Sequence, residues 1–194
     1  PVGFTYDGQG RLETIQHGPR TTVYTYDPRG EIDTHRNPLD EVTGGDHDAV
    51  GRTTTITRPD GQPIGLGYDA AGNLESVTPP GRGAHGYAYT ATNLVRRYTP
   101  PPAPGAGAIE LAYDPDQQID LWTLPDGSLV DPVYDPFGRL EAISAPDREV
   151  SLSYDPASGQ IDGIATDGIA TDGVALAYDY DGFLLTDVRW TGAV

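Results

Sequence analysis

The chain contains no cysteine, which removes disulfide scaffolds, thiolate metal sites and cysteine nucleophiles from consideration. Methionine is absent too, and Pro1 leads directly into a strand-like stretch, so a section of a longer polypeptide is expected. No run of about 20 apolar residues is present to span a bilayer and no basic-plus-apolar leader opens the sequence, so no membrane insertion by this segment is expected. Apolar residues at helical spacing are missing over any useful length, so little or no helix is expected. Positive charge is scarce: 12 Lys and Arg against 29 Asp and Glu leave a formal net charge of −17 and a pI near 4.2. Nucleic acid is thereby excluded as a partner, because a phosphate backbone must be neutralised by a basic surface. The balance describes a solvated, self-repelling surface.

Glycine and proline are plentiful instead, 25 and 18 of 194 residues. Their regular spacing argues for tight turns rather than disorder. The best-formed stretch is Tyr134-Asp135-Pro136-Phe137-Gly138-Arg139-Leu140. Asp, Pro and Gly stand there at the first, second and fourth places of a type I turn, and a positive φ at Gly138 would supply the bulge that closes a short hairpin loop. Ahead of the turn, Val130, Pro132 and Tyr134 alternate with Asp131 and Val133, as Val150, Leu152 and Tyr154 alternate with Ser151 and Ser153. Period two puts each triplet on one face of a sheet.

The same unit recurs about every 21 residues, at Tyr6, Tyr26, His47, Tyr68, Tyr89, Tyr113, Tyr134, Tyr154 and Tyr178. Its expected structural residues are Tyr6, Asp7 and Gly10; Tyr26, Asp27 and Gly30; Tyr68, Asp69 and Gly72; Tyr89; Tyr113 and Asp114; Tyr134, Asp135 and Gly138; Tyr154, Asp155 and Gly159; Tyr178 and Asp179. His47 substitutes for Tyr in the third copy, and Asn93 replaces Gly in the fifth, where its tolerance of left-handed backbone would serve. A second turn, marked by Pro59-Asp60-Gly61, Pro79-Pro80-Gly81 and Pro125-Asp126-Gly127, closes the other end of each unit. Two strands and two turns per copy predict roughly eighteen short antiparallel strands. Residues 1–194 are expected to form a single array of about nine copies, with loop insertions near 100–107, rich in proline, and 163–173, where Ile-Ala-Thr-Asp-Gly occurs twice. After the turn glycine an apolar residue follows two places on in Leu12, Ile32, Leu74, Leu140 and Ile161, and often another three later, as in Ile15, Val77 and Ile143; that separation of three puts them on opposite faces unless a bulge intervenes.

The recurrence of Tyr-Asp-x-x-Gly-Arg-Leu resembles the YD repeat, also called the RHS repeat, over essentially the whole chain. Copies starting at Tyr6, Tyr26, Tyr68, Tyr134 and, with one extra residue, Tyr154 carry Tyr, Asp, Gly and a following Leu or Ile at the family's spacing. The resemblance implies an all-β strip of hairpins that spirals into part of a large hollow shell. In bacterial RHS toxins and insecticidal toxin complexes such a shell encloses a C-terminal effector; in teneurins it is a cell-surface scaffold. It implies a secreted or cell-surface protein whose partners are the remaining repeats and the C-terminal effector of its own parent chain. The alternative is an adhesion module that binds a receptor or carbohydrate. Asp27, Asp114, Asp135 and Asp155 precede proline, but each belongs to a repeat turn, so the family's self-cleavage chemistry is not carried over.

Catalytic, cofactor and metal sites are expected to be none. His17, His35, His47 and His85 lie in different copies without ligand spacing, and the pairs Asp46/Asp48 and Asp179/Asp181 do not continue into a calcium loop. No phosphate cradle or nucleophile elbow stands out. The tyrosine row is expected to form cross-strand ladders, with Arg11, Arg52 and Arg139 pairing to Asp residues on adjacent rungs.

Overall fold

A computed structural model describes residues 1–168 and 173–192. Every regular element is a β-strand. Contacts divide the chain into two compact units, one of residues 1–94 with 99–104 and the other of residues 95–98 with 105–194. In the first lie β1 (Val2–Tyr6), β2 (Leu12–His17), β3 (Arg20–Tyr26), β4 (Ile32–Arg36), β5 (Val42–His47), β6 (Thr53–Thr57), β7 (Pro63–Tyr68), β8 (Leu74–Thr78) and β9 (His85–Tyr89). In the second lie most of β10 (Val95–Thr99), then β11 (Ile109–Tyr113), β12 (Ile119–Thr123), β13 (Leu129–Tyr134), β14 (Leu140–Ala145), β15 (Arg148–Tyr154), β16 (Ile161–Gly168), β17 (Ala175–Asp181) and β18 (Leu184–Thr191). Within each unit consecutive strands pair antiparallel, so the sheet advances by one hairpin at a time.

The hairpin turns follow from local chemistry. At Asp135 the Gly138 amide donates to the Asp135 carbonyl at 2.9 Å, the Asp135 amide donates to the Arg139 carbonyl at 2.8 Å, and Gly138 takes φ of 76°. The left-handed residue of the fifth copy is Asn93 at φ 62°, as its side chain suggested. Gln117 takes that place in the sixth at φ 65°, with no comparable signal in the sequence.

The three-residue separation of the apolar pair is resolved by a bulge. Tyr6 pairs with Leu12 and Thr5 with Thr14, so Glu13 is left over; Asp33, Glu75, Glu141 and Asp162 are left over in the same way. Each extra residue returns the second apolar side chain to the tyrosine face. Phe4 then opposes Ile15, Leu66 opposes Val77, Leu111 opposes Trp122, and Leu152 opposes Ile164.

Little of this face is enclosed. Pro132 is the one buried residue among those described, and there is no buried hydrophobic core among the described residues. β1 and β18 are exposed at every position, whereas the strands between them are largely half-buried. Each unit is a single layer, whereas a sheet with an apolar face ordinarily buries it against a second layer.

Two expectations change. Residues 163–168 are strand, not inserted loop: β16 pairs with β15 as far as Gly168 opposite Arg148, while residues 169–172 of the second pentamer lie outside the described residues. In the ninth copy Tyr178 and Asp179 sit inside β17, opposite Val188 and Asp187, and the chain turns two residues later, with Asp181 opposite Leu184. The proline-rich stretch does end a hairpin, since Arg97 pairs with Glu110 and Tyr98 with Ile109 across it.

Candidate functional site

The repeated site is the turn of one copy together with the tyrosine of the next. Asp7 Oδ1 accepts the amides of Gln9 and Arg11 at 2.8 and 2.9 Å, and its Oδ2 accepts Arg11 Nε at 2.7 Å. Asp48 does the same for Val50 and Arg52, and Asp135 for Phe137 and Arg139. The guanidinium then lies over the next copy's ring: Arg11 is 4.4 Å from the Tyr26 centroid, Arg52 is 4.6 Å from Tyr68 and Arg139 is 4.1 Å from Tyr154. These arginines therefore pair with the carboxylate of their own turn, not with an adjacent rung. The hairpin brings residues four apart within reach, whereas the adjacent rung offers an aromatic face, which attracts a cation electrostatically.

Tyrosine completes the link through its hydroxyl. Tyr26 donates to the Leu12 carbonyl at 2.7 Å, Tyr68 to Thr53 at 2.8 Å, Tyr89 to Leu74 at 2.7 Å, Tyr113 to Val95 at 2.6 Å and Tyr154 to Leu140 at 2.7 Å. In each case the acceptor lies two residues past the turn's left-handed residue, in the preceding copy. These five tyrosines are thus half-buried and hydrogen-bonded, with their hydroxyls turned to the backbone rather than offered to a ligand, whereas Tyr6 is exposed.

Rungs differ at the residue after the left-handed position. Gln118 donates its amide to the Gly138 carbonyl at 2.7 Å, and Asn73 donates to Asn93 Oδ1 at 2.8 Å. Glu31 holds this position in the second copy; its amide still donates to Asp27 Oδ1 at 2.9 Å, but its carboxylate cannot donate to Oδ2, and Arg29 instead donates to the Asp48 and His47 carbonyls of the next turn at 2.6 and 3.2 Å. In the fifth copy the Thr90 hydroxyl replaces the turn carboxylate, accepting the Thr92 and Leu94 amides at 3.2 and 3.1 Å. Sequence reasoning missed this variable position, although its place directly after each glycine marked it.

Electrostatics match the geometry. Asp7 is held below the ordinary carboxylate value chiefly by the Arg11 amide, with the Arg11 guanidinium assisting against partial desolvation. At Asp48 and Asp135 desolvation pushes upward, and hydrogen bonds from the backbone and guanidinium of Arg52 and Arg139 outweigh it. Asp69 is lowered by the Asn73 side chain and amide. Asp27, Asp126, Asp147 and Asp155 are likewise held below the ordinary carboxylate value, which fits anchoring of turns rather than general-acid chemistry. Among the described residues no cluster of three metal-ligating side chains forms.

A single-layered strip of hairpins, tied copy to copy by tyrosine and arginine, defines a YD-repeat shell segment. The chain belongs to the Teneurin YD-shell family, which matches residues 1–193. No curated protein matches it. Its fold is similar to that in the Photorhabdus luminescens Tc holotoxin pore bearing a TccC3 mutation, with TM-score 0.79 and 15% identity over 98% of this chain and 12% of that one. A TcdB2-TccC3-Cdc42 structure gives TM-score 0.78 at 16% identity, covering 98% of this chain and 13% of that one. TcdB2-TccC3 without its hypervariable C-terminal region gives TM-score 0.77 at 16% identity, covering 98% and 12%. The chain spans only about an eighth of the length of these structures.

Proposed function

We propose that this chain is a section of wall in an RHS-type shell that encloses or presents a toxin or other effector domain, and that its role is structural rather than catalytic. The observation that carries the reading is the half-buried apolar face of each unit, which has no covering layer of its own. Enclosed polypeptide or further wall would supply that cover. On this reading residues 1–194 are one repeat series, and the Tyr, Asp and Gly positions hold successive copies in register. The partners are further repeats and a C-terminal effector of the parent protein, in a secreted or cell-surface setting. TM-scores near 0.8 to Tc toxin chains support it.

The test is cryo-EM of the whole protein encoded by the gene, combined with limited proteolysis. Polypeptide density inside a closed wall, and a C-terminal segment cut only after mild denaturant opens that wall, are the expected results. A solid or empty interior with freely cut C-terminal sequence would overturn it.

A second reading, adhesion or receptor and carbohydrate binding, draws on aromatic residues at hairpin tips: Phe137 is 83% exposed and Phe183 is 96% exposed. Glycan-array or cell-surface binding that disappears in Phe137→Ser and Phe183→Ser would favour it. Tyr26, Tyr68, Tyr89, Tyr113 and Tyr154 do not, because their hydroxyls are committed to backbone carbonyls.

A further inference from the structure

The rung between the eighth and ninth copies lacks its cation. Continuing the β16–β17 register from the Gly163–Ala177 pair sets Tyr180 opposite Gln160, just as the β14–β15 register sets Tyr154 opposite Arg139. Gln160 is followed by an open recess of about 520 Å³, lined by Asp155, Gln160, Asp162, Tyr178, Asp179 and Tyr180 among others. Asp155 spends Oδ1 on its own turn, accepting the Ala157 amide at 3.1 Å and the Ser158 amide and hydroxyl at 2.6 and 2.8 Å. Its Oδ2 has no partner among the described residues, whereas the equivalent oxygen of Asp7, Asp48 and Asp135 holds an arginine. Asp179 is already paired with Arg189 at 2.6 Å.

We propose that this recess binds a guanidinium group: the arginine side chain of a separate polypeptide. The chain itself provides the template three times over, with a guanidinium held between a turn carboxylate and the tyrosine of the next copy. At the eighth rung carboxylate and ring both remain, and the space for the side chain is open. A planar guanidinium can donate to Oδ2 while lying on a tyrosine face; a lysine ammonium, a compact and strongly hydrated point charge, matches that geometry less well. The net charge of −17 favours approach of a basic chain.

The experiment is a fluorescence-anisotropy titration of the intact protein with dye-labelled Gly-Gly-Arg-Gly-Gly and its lysine and citrulline counterparts. The arginine peptide should bind at least about five times more tightly than the lysine peptide, and citrulline should not bind measurably, because recognition needs both charge and fork geometry. Gln160→Arg fills the recess from within and should weaken arginine-peptide binding at least about tenfold. Tyr180→Leu, which removes the ring without altering the Asp155 turn, should lose the preference for arginine over lysine; circular dichroism and hydrogen exchange verify that both variants fold. Equal binding of arginine and lysine peptides, no binding by the unmodified protein, or undiminished binding by folded Gln160→Arg would each overturn the proposal.

Discussion

Tyr154 and Tyr134 occupy the same place in successive copies, yet they should respond differently to loss of the hydroxyl. Tyr154 donates to the Leu140 carbonyl at 2.7 Å, whereas the Tyr134 hydroxyl has no acceptor among the described residues. Tyr154→Phe keeps the ring beneath Arg139, 4.1 Å from its guanidinium, so the cation–π contact survives and only the hydrogen bond is removed. A net hydrogen bond contributes ~0.5–1.5 kcal/mol, and because the acceptor here is half-buried, water can partly replace the donor; about 1 kcal/mol is expected. Repeat arrays open locally, so the effect should be confined to the neighbouring strands. In native-state hydrogen exchange of the intact protein, amides of β14 and β15 should open about five times more often in Tyr154→Phe. The matching amides of β12 and β13 should change less than about twofold in Tyr134→Phe. Equal acceleration in the two variants would refute the assignment of the hydroxyl as the tie between copies.

Gly138→Ala forces an L-residue to φ of 76°, with the nearest foreign atom no closer than 3.5 Å, so strain rather than collision sets a loss of about 1–2 kcal/mol. Gly8→Ala, where nothing lies within 4 Å and no positive φ is required, should leave the urea midpoint almost unchanged. Arg29→Ala removes the donors to Asp48 and His47 and should speed exchange at the Gly51 amide; adding Glu31→Arg should restore protection by rebuilding the rung of the other copies. Asp7, Asp48 and Asp135 have folded-state values below the reference of 3.8, so their contribution is present above that pH and lost as pH falls through the depressed values. Thermal midpoints should thus be level with respect to these groups near neutrality and decline below about pH 4, less steeply in Asp135→Asn; a decline starting above pH 6 would implicate other groups.

What could be read from the residues was the chemistry closed within one hairpin. Asp135, Pro136 and Gly138 each satisfy a local backbone demand, so the turn and the alternating strands around it were legible before any pairing was known. Features that depend on pairing were not. Leu140 and Ile143 share a face only because Glu141 is bulged out, and nothing in a spacing of three distinguishes that from opposite faces. In the ninth copy Tyr178-Asp179 and Tyr180-Asp181 compete for one position; the cross-strand register with Gln160, together with Gly182 after the second pair, selects Tyr180. The arginines were misassigned for the same reason: their carboxylate partner is local, but their aromatic partner is set by the register between hairpins. It follows that the residue after each left-handed turn position, Arg11, Glu31, Arg52, Asn73, Leu94, Gln118, Arg139 or Gln160, is where the array can vary without disturbing its turns. A turn needs only the backbone bonds and Oδ1 of its aspartate, so exchanging the rung residue alters the grip between neighbours while the hairpin itself persists. Strength within a unit is therefore distributed unevenly, strongest where arginine bridges carboxylate and ring, and weakest beside Gln160, where among the described residues neither a rung cation nor a tyrosine hydroxyl bond crosses to the next copy. That place is where a wall built this way should part first under denaturant, which pulsed hydrogen exchange on β16–β17 would reveal as the earliest amides to open.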